Sequence, residues 1–265
     1  MVSIDSIYER ARKGQPLDDV CIIDSHSHIG SYHAFNAPHS DAEGMLESMD
    51  ALGVDRVMIT AHASIGPDFV YGNNLVIAAL QKYPDRFWGY ATLNPHYPGD
   101  LLSELDRCFA VPGMMGIKLH PSCHEVAIEH ENYRPVYEYA NQNHCPVLIH
   151  TWGVGQIQAI GRLAGQYPDI PFLIGHFGGD IAGMEESIRI INQHTHVYGD
   201  LALSIVREGN VEWLVENVGS GKVLYASDMP FFDPRSAFGR VALSKLTYEQ
   251  KLDVFGLNMK RILGL

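Results

Sequence analysis

The chain has 265 residues, of which 46% are hydrophobic, and a formal net charge of −12 at pH 7. This acidity argues against general nucleic-acid binding, because phosphates would be repelled, and no run of about 18 apolar residues is present that would span a membrane. Four scattered cysteines (Cys21, Cys108, Cys123 and Cys145) and a charged N-terminus, where a secretory signal would be apolar, predict a cytoplasmic protein without disulfides.

Residues 1–19 are expected to form an N-terminal helical segment that packs on the domain, with Ile4–Ala11 as a short amphipathic helix. The apolar run Val20–Ile23 follows and predicts a buried strand. Directly after it come Asp24, His26 and His28. Alternate side chains of an extended backbone share one face. The two imidazoles are therefore expected to hold one metal ion, with the carboxylate close enough to orient them.

Short, nearly continuous apolar runs recur along the chain and predict strands of a parallel sheet that is buried on both faces. They are Cys21–Asp24, Arg56–Thr60, Phe87–Leu93, Met115–Leu119, Pro146–His150, Pro171–Gly175, His196–Leu201 and Lys222–Ala226. Amphipathic patterns between them predict helices. The first follows a capping start at Ser40–Glu43, and the others are Asn73–Tyr83, Leu101–Phe109, Arg134–Asn143, Gly155–Tyr167, Met184–Gln193, Val211–Asn217 and Thr247–Leu263.

Eight strands that alternate with helices predict an α/β fold, a (β/α)8 TIM barrel that forms a single domain over residues 1–265. An open, doubly wound sheet has the same alternation, and sequence alone does not show closure. No glycine-rich phosphate loop follows the first strand, where the histidine pair stands instead.

Polar side chains follow nearly every predicted strand at its carboxyl end. Beyond the first strand they are His62, Asn94, Lys118, His120, His150, His176, Asp200 and Asp228. Barrel enzymes build their active sites at this end. We therefore expect these side chains to converge on a single pocket.

The chain resembles the amidohydrolase superfamily in five motifs. These are Ile22-Ile23-Asp24-Ser25-His26-Ser27-His28-Ile29-Gly30, Gly116-Ile117-Lys118-Leu119-His120-Pro121, Leu148-Ile149-His150-Thr151, Gly175-His176-Phe177-Gly178-Gly179 and Ala226-Ser227-Asp228-Met229-Pro230. They are most similar to the amidohydrolase-related branch that includes aminocarboxymuconate-semialdehyde decarboxylase and related metal-dependent hydrolases. The resemblance runs from about Cys21 to Leu263.

The resemblance implies a metal centre. His26, His28, His150 and Asp228 would bind one divalent ion, and three nitrogens with one oxygen suit zinc. Zinc lowers the pKa of a bound water to about 7. Asp228 would also accept the proton of that water and return it to the leaving group. His176 would contact the water or polarise the substrate carbonyl.

Lys118 and His176 raise the question of a second metal, because binuclear relatives bridge their ions with a modified lysine or a glutamate on strand four. One tightly held ion is the favoured interpretation. An unmodified Lys118 would bind a substrate anion or a carbonyl oxygen, and His120, two residues later, would face the same pocket. Trp152 is placed to line that pocket. Arg207 and Arg235, in loops after strands seven and eight, are candidates to pair with a substrate carboxylate.

The leading functional prediction is hydrolysis of a small-molecule amide, ester or lactone by a metal-activated water. The alternative is non-oxidative decarboxylation of an unsaturated or aromatic acid, which needs a cationic clamp such as Arg235. A third alternative, a non-catalytic barrel, would be expected to have lost a ligand, and all four are present. The resemblance further suggests a homodimer, while other divalent transition metals could replace zinc.

Overall fold

The computed structural model describes residues 6–34, 36–204 and 206–265. Its core is one sheet of eight parallel strands in which each strand pairs with the next along the chain. The strands are β1 (Ile23–Ile29), β2 (Arg56–Ala61), β3 (Phe87–Thr92), β4 (Met114–Leu119), β5 (Val147–His150), β6 (Phe172–Gly175), β7 (Val197–Asp200) and β8 (Val223–Leu224). The first strand therefore runs through the histidine pair instead of ending before it.

The sheet closes through hydrogen bonds between β1 and the segment that follows β8. The Ser25 amide donates to the Tyr225 carbonyl at 3.0 Å, and the Asp228 amide donates to the His26 carbonyl at 2.9 Å. The His28 amide donates to the Met229 carbonyl at 2.7 Å. The predicted single-domain TIM barrel is confirmed, and its closure places the end of β8 directly against the histidine pair.

Helices surround the sheet. They are α1 (Ser6–Arg12), α2 (Ala42–Leu52), α3 (Phe69–Lys82), α4 (Leu101–Phe109), α5 (Pro121–His124), α6 (Arg134–Gln142), α7 (Val154–Gln166), α8 (Ile181–Gln193), α9 (Asn210–Val218), α10 (Pro234–Ala242), α11 (Tyr248–Leu252) and α12 (Asn258–Ile262). A π-helical turn, Asp253–Leu257, joins the last two. The sequence patterns did not predict α5 and α10, which both begin at a proline. None of the described helices is long and apolar enough to cross a membrane.

The N-terminal helix α1 lies against α10, and its Ile7 is buried. The predicted helix Ile4–Ala11 thus corresponds to α1, with Ile4 and Asp5 outside the described residues. At α2 the capping prediction holds, because the Asp41 side chain accepts a hydrogen bond from the Gly44 amide and so satisfies a free N–H of the first turn.

The barrel interior has two layers. The lower layer is apolar and consists of Ile23, Met58, Tyr90, Leu148, Leu173, Leu224 and Met259. Two residues further along several strands, the same inward face carries a polar side chain: Thr60, Thr92, Lys118, His150 and Asp200. Because side chains at i and i+2 of a strand share a face, the upper layer is polar at the carboxyl end. Gly116 keeps the lower layer open for Tyr90, since a β-carbon there would lie 2.6 Å from that ring.

Candidate metal centre

Three donor groups from β1 and the end of β8 converge in the upper layer. The Nε2 atom of His28 lies 3.1 Å from Oδ1 of Asp228, and Nε2 of His26 lies 3.8 Å from the same oxygen. All three residues are buried. Two donors that each bind an ion at about 2.1 Å can lie at most about 4.2 Å apart. The three atoms therefore fit one divalent transition metal.

The hydrogen bonding around Asp228 supports the same assignment. Its Oδ1 atom is buried and has no hydrogen-bond donor among the described residues, and the Nδ1 atom of His28 is likewise without a partner. An unsatisfied buried carboxylate oxygen is costly. A free carboxylate oxygen that lies this close to two ring nitrogens has the spacing expected of ligands that share one cation.

Asp200, at the end of β7, orients the first of these rings. Its Oδ2 atom lies 2.8 Å from Nδ1 of His26, and its Oδ1 accepts the amide N–H of His176 at 2.7 Å. A carboxylate accepts hydrogen bonds at neutral pH, so Nδ1 of His26 carries the proton and Nε2 keeps its lone pair for an ion. From sequence, Asp200 is expected only as a polar residue at a strand end, with no assigned role. Its inward position two residues after Tyr198 is the signal that could have identified it.

Asp24 does not orient the imidazoles, so that expectation is wrong. The pairing of β1 with β2 is irregular between Asp24 and Ser27, and the Asp24 carboxylate contacts the backbone amide of His26 instead of either ring. Its carboxylate accepts hydrogen bonds from the Ser227 amide, the Ser227 hydroxyl and the Ser27 hydroxyl. Burial raises the pKa of Asp24 to about 7, although these donors act in the opposite direction. Asp24 therefore helps close the barrel.

Lys118 is fully buried at the end of β4, and its Nζ atom lies 2.6 Å from Nε2 of His26. Burial lowers the pKa of its ammonium group to about 8, while Asp228 and Asp200 act to raise it. Lys118 thus lies beside the three donor groups and donates to the nitrogen that the ion would use.

A chain of histidines forms the adjoining wall. His176 donates from Nδ1 to the Ala202 carbonyl at 2.6 Å, so in its neutral form Nε2 is an acceptor. Nδ1 of His150 lies 2.9 Å from that Nε2 and must donate to it. His150 is left with a free lone pair on Nε2. His120 stacks on His150 with 3.9 Å between the ring centroids.

His150 is in neither of the two groups of three metal-ligand residues found in the described part of the chain. One group is His26, His28 and Asp228, and the other is His26, His176 and Asp200. Hydrogen bonds between Asp200 and its two histidines account for the second group.

The backbone is strained where two strands deliver these residues. His176 has φ of 63° and Asp228 has φ of 58°, a left-handed region that costs side-chain-bearing residues about 1–3 kcal/mol. Phe177, next to His176, has φ of 49°. Its ring packs against Gly199, where a β-carbon would lie 2.3 Å away, so Phe177 has a packing role. Strain of this kind at the ends of β6 and β8 is typical of a functional site.

Burial keeps the clustered imidazoles neutral. Desolvation is the largest cause that lowers the pKa of His26, His28 and His150 well below the ordinary value, and Lys118 and neighbouring histidines add to it. The pKa of His120 falls to about 2 for the same reasons. Neutral rings have the lone pairs that metal binding requires.

Aromatic rings cover the His28 side of the centre. His62, at the end of β2, stacks on His28 with 4.7 Å between centroids. Tyr32, from the loop after β1, and Phe231, from the loop after β8, lie 5.2 and 4.5 Å from the His62 ring. Tyr32 and Phe231 also contact each other at 4.7 Å. We refer to these two partly exposed rings as the aromatic cover.

The other candidate substrate residues line cavities that do not include the donor residues. Arg235, at the start of α10, is exposed and pairs with Asp233, and it lines a separate cavity of about 500 Å3. Arg207 lines a cavity of about 690 Å3 formed by residues from α9 and α10. Trp152 is 44% exposed and lines a third cavity with Gln156. Only Lys118 and His120, of the predicted substrate residues, lie within the buried cluster.

Known proteins share a family model and the barrel fold with this chain. A model of the family described as Amidohydrolase matches residues 23–265. An uncharacterized TIM-barrel protein from Bordetella bronchiseptica is 15% identical with a TM-score of 0.76, over 92% of this chain and 99% of that chain. A 5-carboxyvanillate decarboxylase from Novosphingobium aromaticivorans, solved with manganese, is 16% identical with a TM-score of 0.74, over 94% and 97%. A 4-oxalomesaconate hydratase from Rhodopseudomonas palustris is 21% identical with a TM-score of 0.69, over 92% and 95%.

Proposed function

The chain belongs to the amidohydrolase family, in the branch expected from its motifs, and from this premise we propose that it is a metal-dependent hydrolase of a small-molecule amide, ester or lactone. One observation carries the proposal. Two imidazole nitrogens and an otherwise unpartnered carboxylate oxygen, on His26, His28 and Asp228, face one point in the buried upper layer of the barrel. That donor set suits a divalent ion and leaves room for further ligands.

The ion would be held by His26, His28 and Asp228, with His150 as the fourth ligand through the Nε2 atom that its bond to His176 leaves free. Zinc is the proposed metal, because this mixture of nitrogen and oxygen suits it. Manganese is the competitor, since it occupies the related decarboxylase structure. When bound, such an ion would polarise a substrate carbonyl and lower the pKa of a coordinated water.

The residues of the chain would divide the remaining work. Asp228 would take up the proton and return it, and burial, which raises its pKa, makes it a better base than an exposed aspartate. Lys118 is positioned to donate to an oxygen of the substrate once an ion occupies His26. His176, with both ring nitrogens engaged, would act by holding His150. Catalysis by His176 through direct contact with substrate would require breaking one of these bonds.

Decarboxylation of an unsaturated or aromatic acid is the second candidate, favoured by the decarboxylases among the similar structures. It needs a cation for the substrate carboxylate. Arg235 pairs with Asp233 at the surface, so Lys118 is the buried cation nearest the donors. Because an ion on His26 would free Lys118 from that ring, Lys118 rather than Arg235 would have to hold the substrate carboxylate.

Metal content and substrate profiling test the proposal together. We expect about one equivalent of transition metal in the purified protein, and turnover of at least one class among amides, esters and lactones. Asp228→Asn should lose both metal and turnover while its circular dichroism spectrum stays unchanged. Asp233→Asn, a matched change five residues later, should keep both.

Two results would overturn the proposal. One is full activity in the chelated, metal-free protein. The other is turnover confined to aromatic acids that lose CO2, which would establish the second candidate. Turnover by Arg235→Ala separates the hydrolase from the decarboxylase further. If this variant lost turnover of acids alone, Arg235 would be the residue that binds the carboxylate in a decarboxylase.

The proposal also includes a homodimer, cytoplasmic localisation and a single tightly held ion, since a second ion at Lys118 and His176 would have to displace the hydrogen bonds that engage both side chains. Light scattering coupled to size exclusion measures the first. Fractionation of cells that express a tagged chain measures the second. A metal titration that continues beyond one equivalent measures the third.

A further inference from the structure

His62 has a buried ring nitrogen that the protein does not use. Its Nδ1 atom lies 2.7 Å from the Gly30 carbonyl oxygen. A carbonyl oxygen only accepts, so Nδ1 carries the proton, and in the neutral ring Nε2 is an acceptor. That Nε2 is buried, and no group of the described residues forms a hydrogen bond with it. Buried polar atoms are nearly always satisfied, and an exception in a folded protein calls for an explanation.

The unused acceptor lies beside the metal centre. The His62 ring stacks on His28, a metal ligand of the proposed function, at 4.7 Å and with only 13° between the ring planes. Its bond to Gly30 fixes the ring at the base of the loop that carries Tyr32. An acceptor held this rigidly next to the reacting position is suited to recognise part of a ligand.

The aromatic cover separates His62 from solvent. Phe231 meets the His62 ring edge-on at 90°, and Tyr32 lies tilted against both. The loop that carries Tyr32 leaves β1 at Gly30, which has φ of 87°. A ligand that displaces Tyr32 would therefore exchange one aromatic contact for another and gain the free Nε2 atom.

We propose that His62 is a specificity-determining residue that accepts a hydrogen bond from an O–H or N–H group on a planar substrate bound beneath the aromatic cover. This inference rests on the proposed function for the location of the reacting group, and it deepens that function by assigning one feature of the substrate: an O–H or N–H donor that reaches Nε2 of His62. The competing interpretation is that His62 only supports His28 by stacking.

Matched ligand pairs distinguish the two roles without any turnover. The probes are 2-, 3- and 4-hydroxybenzamide, each paired with its fluorobenzamide, because fluorine approximates the size of a hydroxyl group but donates no hydrogen bond. Binding is measured by calorimetry, and the state of His62 Nε2 is read from its 15N resonance. Wild type should bind at least one hydroxy compound roughly tenfold more tightly than its fluoro partner, as expected for one net hydrogen bond. The same compound should shift the Nε2 resonance.

Two variants complete the test. His62→Phe keeps a stacked ring without the acceptor, and the preference for the hydroxy compound should disappear. His62→Gln places an amide oxygen near the Nε2 position, and part of the preference should return. Thermal melting checks that both variants fold.

Three outcomes would overturn the inference: a proton on Nε2 in the free protein, no shift of that resonance with any hydroxy compound, or an undiminished preference in His62→Phe. The proposed function is judged separately, by metal content and turnover. A protein that binds metal and turns over substrates with no donor preference would refute the role of His62 alone. Binding with the predicted preference in a metal-free, inactive protein would refute the proposed function alone.

Discussion

The contact between Lys118 and His26 couples the charge of the Lys118 ammonium group to the availability of the His26 Nε2 lone pair for an ion. Nζ of Lys118 lies 2.6 Å from Nε2 of His26, while Nδ1 of His26 is committed to Asp200. The ammonium group therefore donates to the one lone pair that His26 can offer an ion. Metal binding at this position must displace Lys118 or remove its proton.

Metal affinity should consequently depend on pH through Lys118. The pKa of this ammonium group is lowered to about 8 in the metal-free protein, so the lysine is charged below pH 8 and increasingly neutral above it. If one proton leaves for each ion bound, affinity should rise about tenfold per pH unit up to pH 8 and then level off. Competition with a chelator from pH 6.5 to 9 measures this.

Lys118→Met should remove the pH dependence in that window, while Lys82→Met, at an exposed lysine of α3, should leave it intact. A variant Lys118→Met that still shows the tenfold rise would contradict the coupling. A variant that loses one of two bound equivalents would show instead that Lys118 is itself a metal ligand.

Asp200 is expected to control metal affinity without touching the metal. Asp200→Asn removes the charge that holds the proton on Nδ1 of His26, and loss of such an orienting carboxylate weakens metal binding about 10–100-fold. Chelator competition at pH 7.5 provides the measurement. Asp169→Asn, at an exposed loop aspartate, is the control, and equal affinities for the two variants would exclude the orienting role.

The polar upper layer could be predicted from sequence because strand geometry is local. Lys118, His150 and Asp200 each stand two residues beyond a side chain of the lower interior layer, or beyond Gly116, and this spacing places them on the inward face at the carboxyl end. Eight strands that alternate with helices predict a barrel, and a barrel brings the polar residues at the carboxyl ends of its strands together. The same argument identified His26 and His28.

The roles of the aspartates could not be predicted, because they depend on barrel closure. An irregular pairing after Asp24 and the approach of Ser227 across the closed sheet decide which carboxylate contacts the imidazoles. Both are contacts between distant parts of the chain. Arg235 shows the same limit, since its pairing with Asp233 depends on the unpredicted start of α10.

Asp24 should contribute to stability through barrel closure. Asp24→Ala leaves the Ser227 amide and two hydroxyl groups without their acceptor, and we expect a loss of about 2–5 kcal/mol in the free energy of unfolding. Urea denaturation of the metal-free protein measures it. A loss below 1 kcal/mol would show that the segment after β8 is held mainly by its backbone bonds to β1.

The effect of Asp24→Asn should also vary with pH. The folded pKa of Asp24, about 7, lies above the value of 3.8 for an exposed aspartate. The folded protein therefore binds more protons between these values, and wild-type stability from this group is present below about pH 4 and is lost as the pH rises through 7. The neutral asparagine lacks this loss, so the deficit of Asp24→Asn should shrink by roughly 1 kcal/mol per pH unit across that range. A constant deficit would contradict a raised pKa.

His120 should make the metal-free protein sensitive to acid. Its folded pKa is about 2, whereas an exposed histidine has 6.5. The unfolded chain therefore binds a proton below pH 6.5 that the folded protein does not, and stability falls as the pH falls through this range. His120→Gln removes the group, so the decline in unfolding free energy between pH 6 and 4 should become shallower by up to about 1.4 kcal/mol per pH unit. His144→Asn is the matched control, because His144 is exposed and its φ of 52° suits asparagine. Urea titrations at half-unit pH steps give both slopes, and identical slopes for wild type and His120→Gln would mean that His120 takes up its proton without unfolding the barrel.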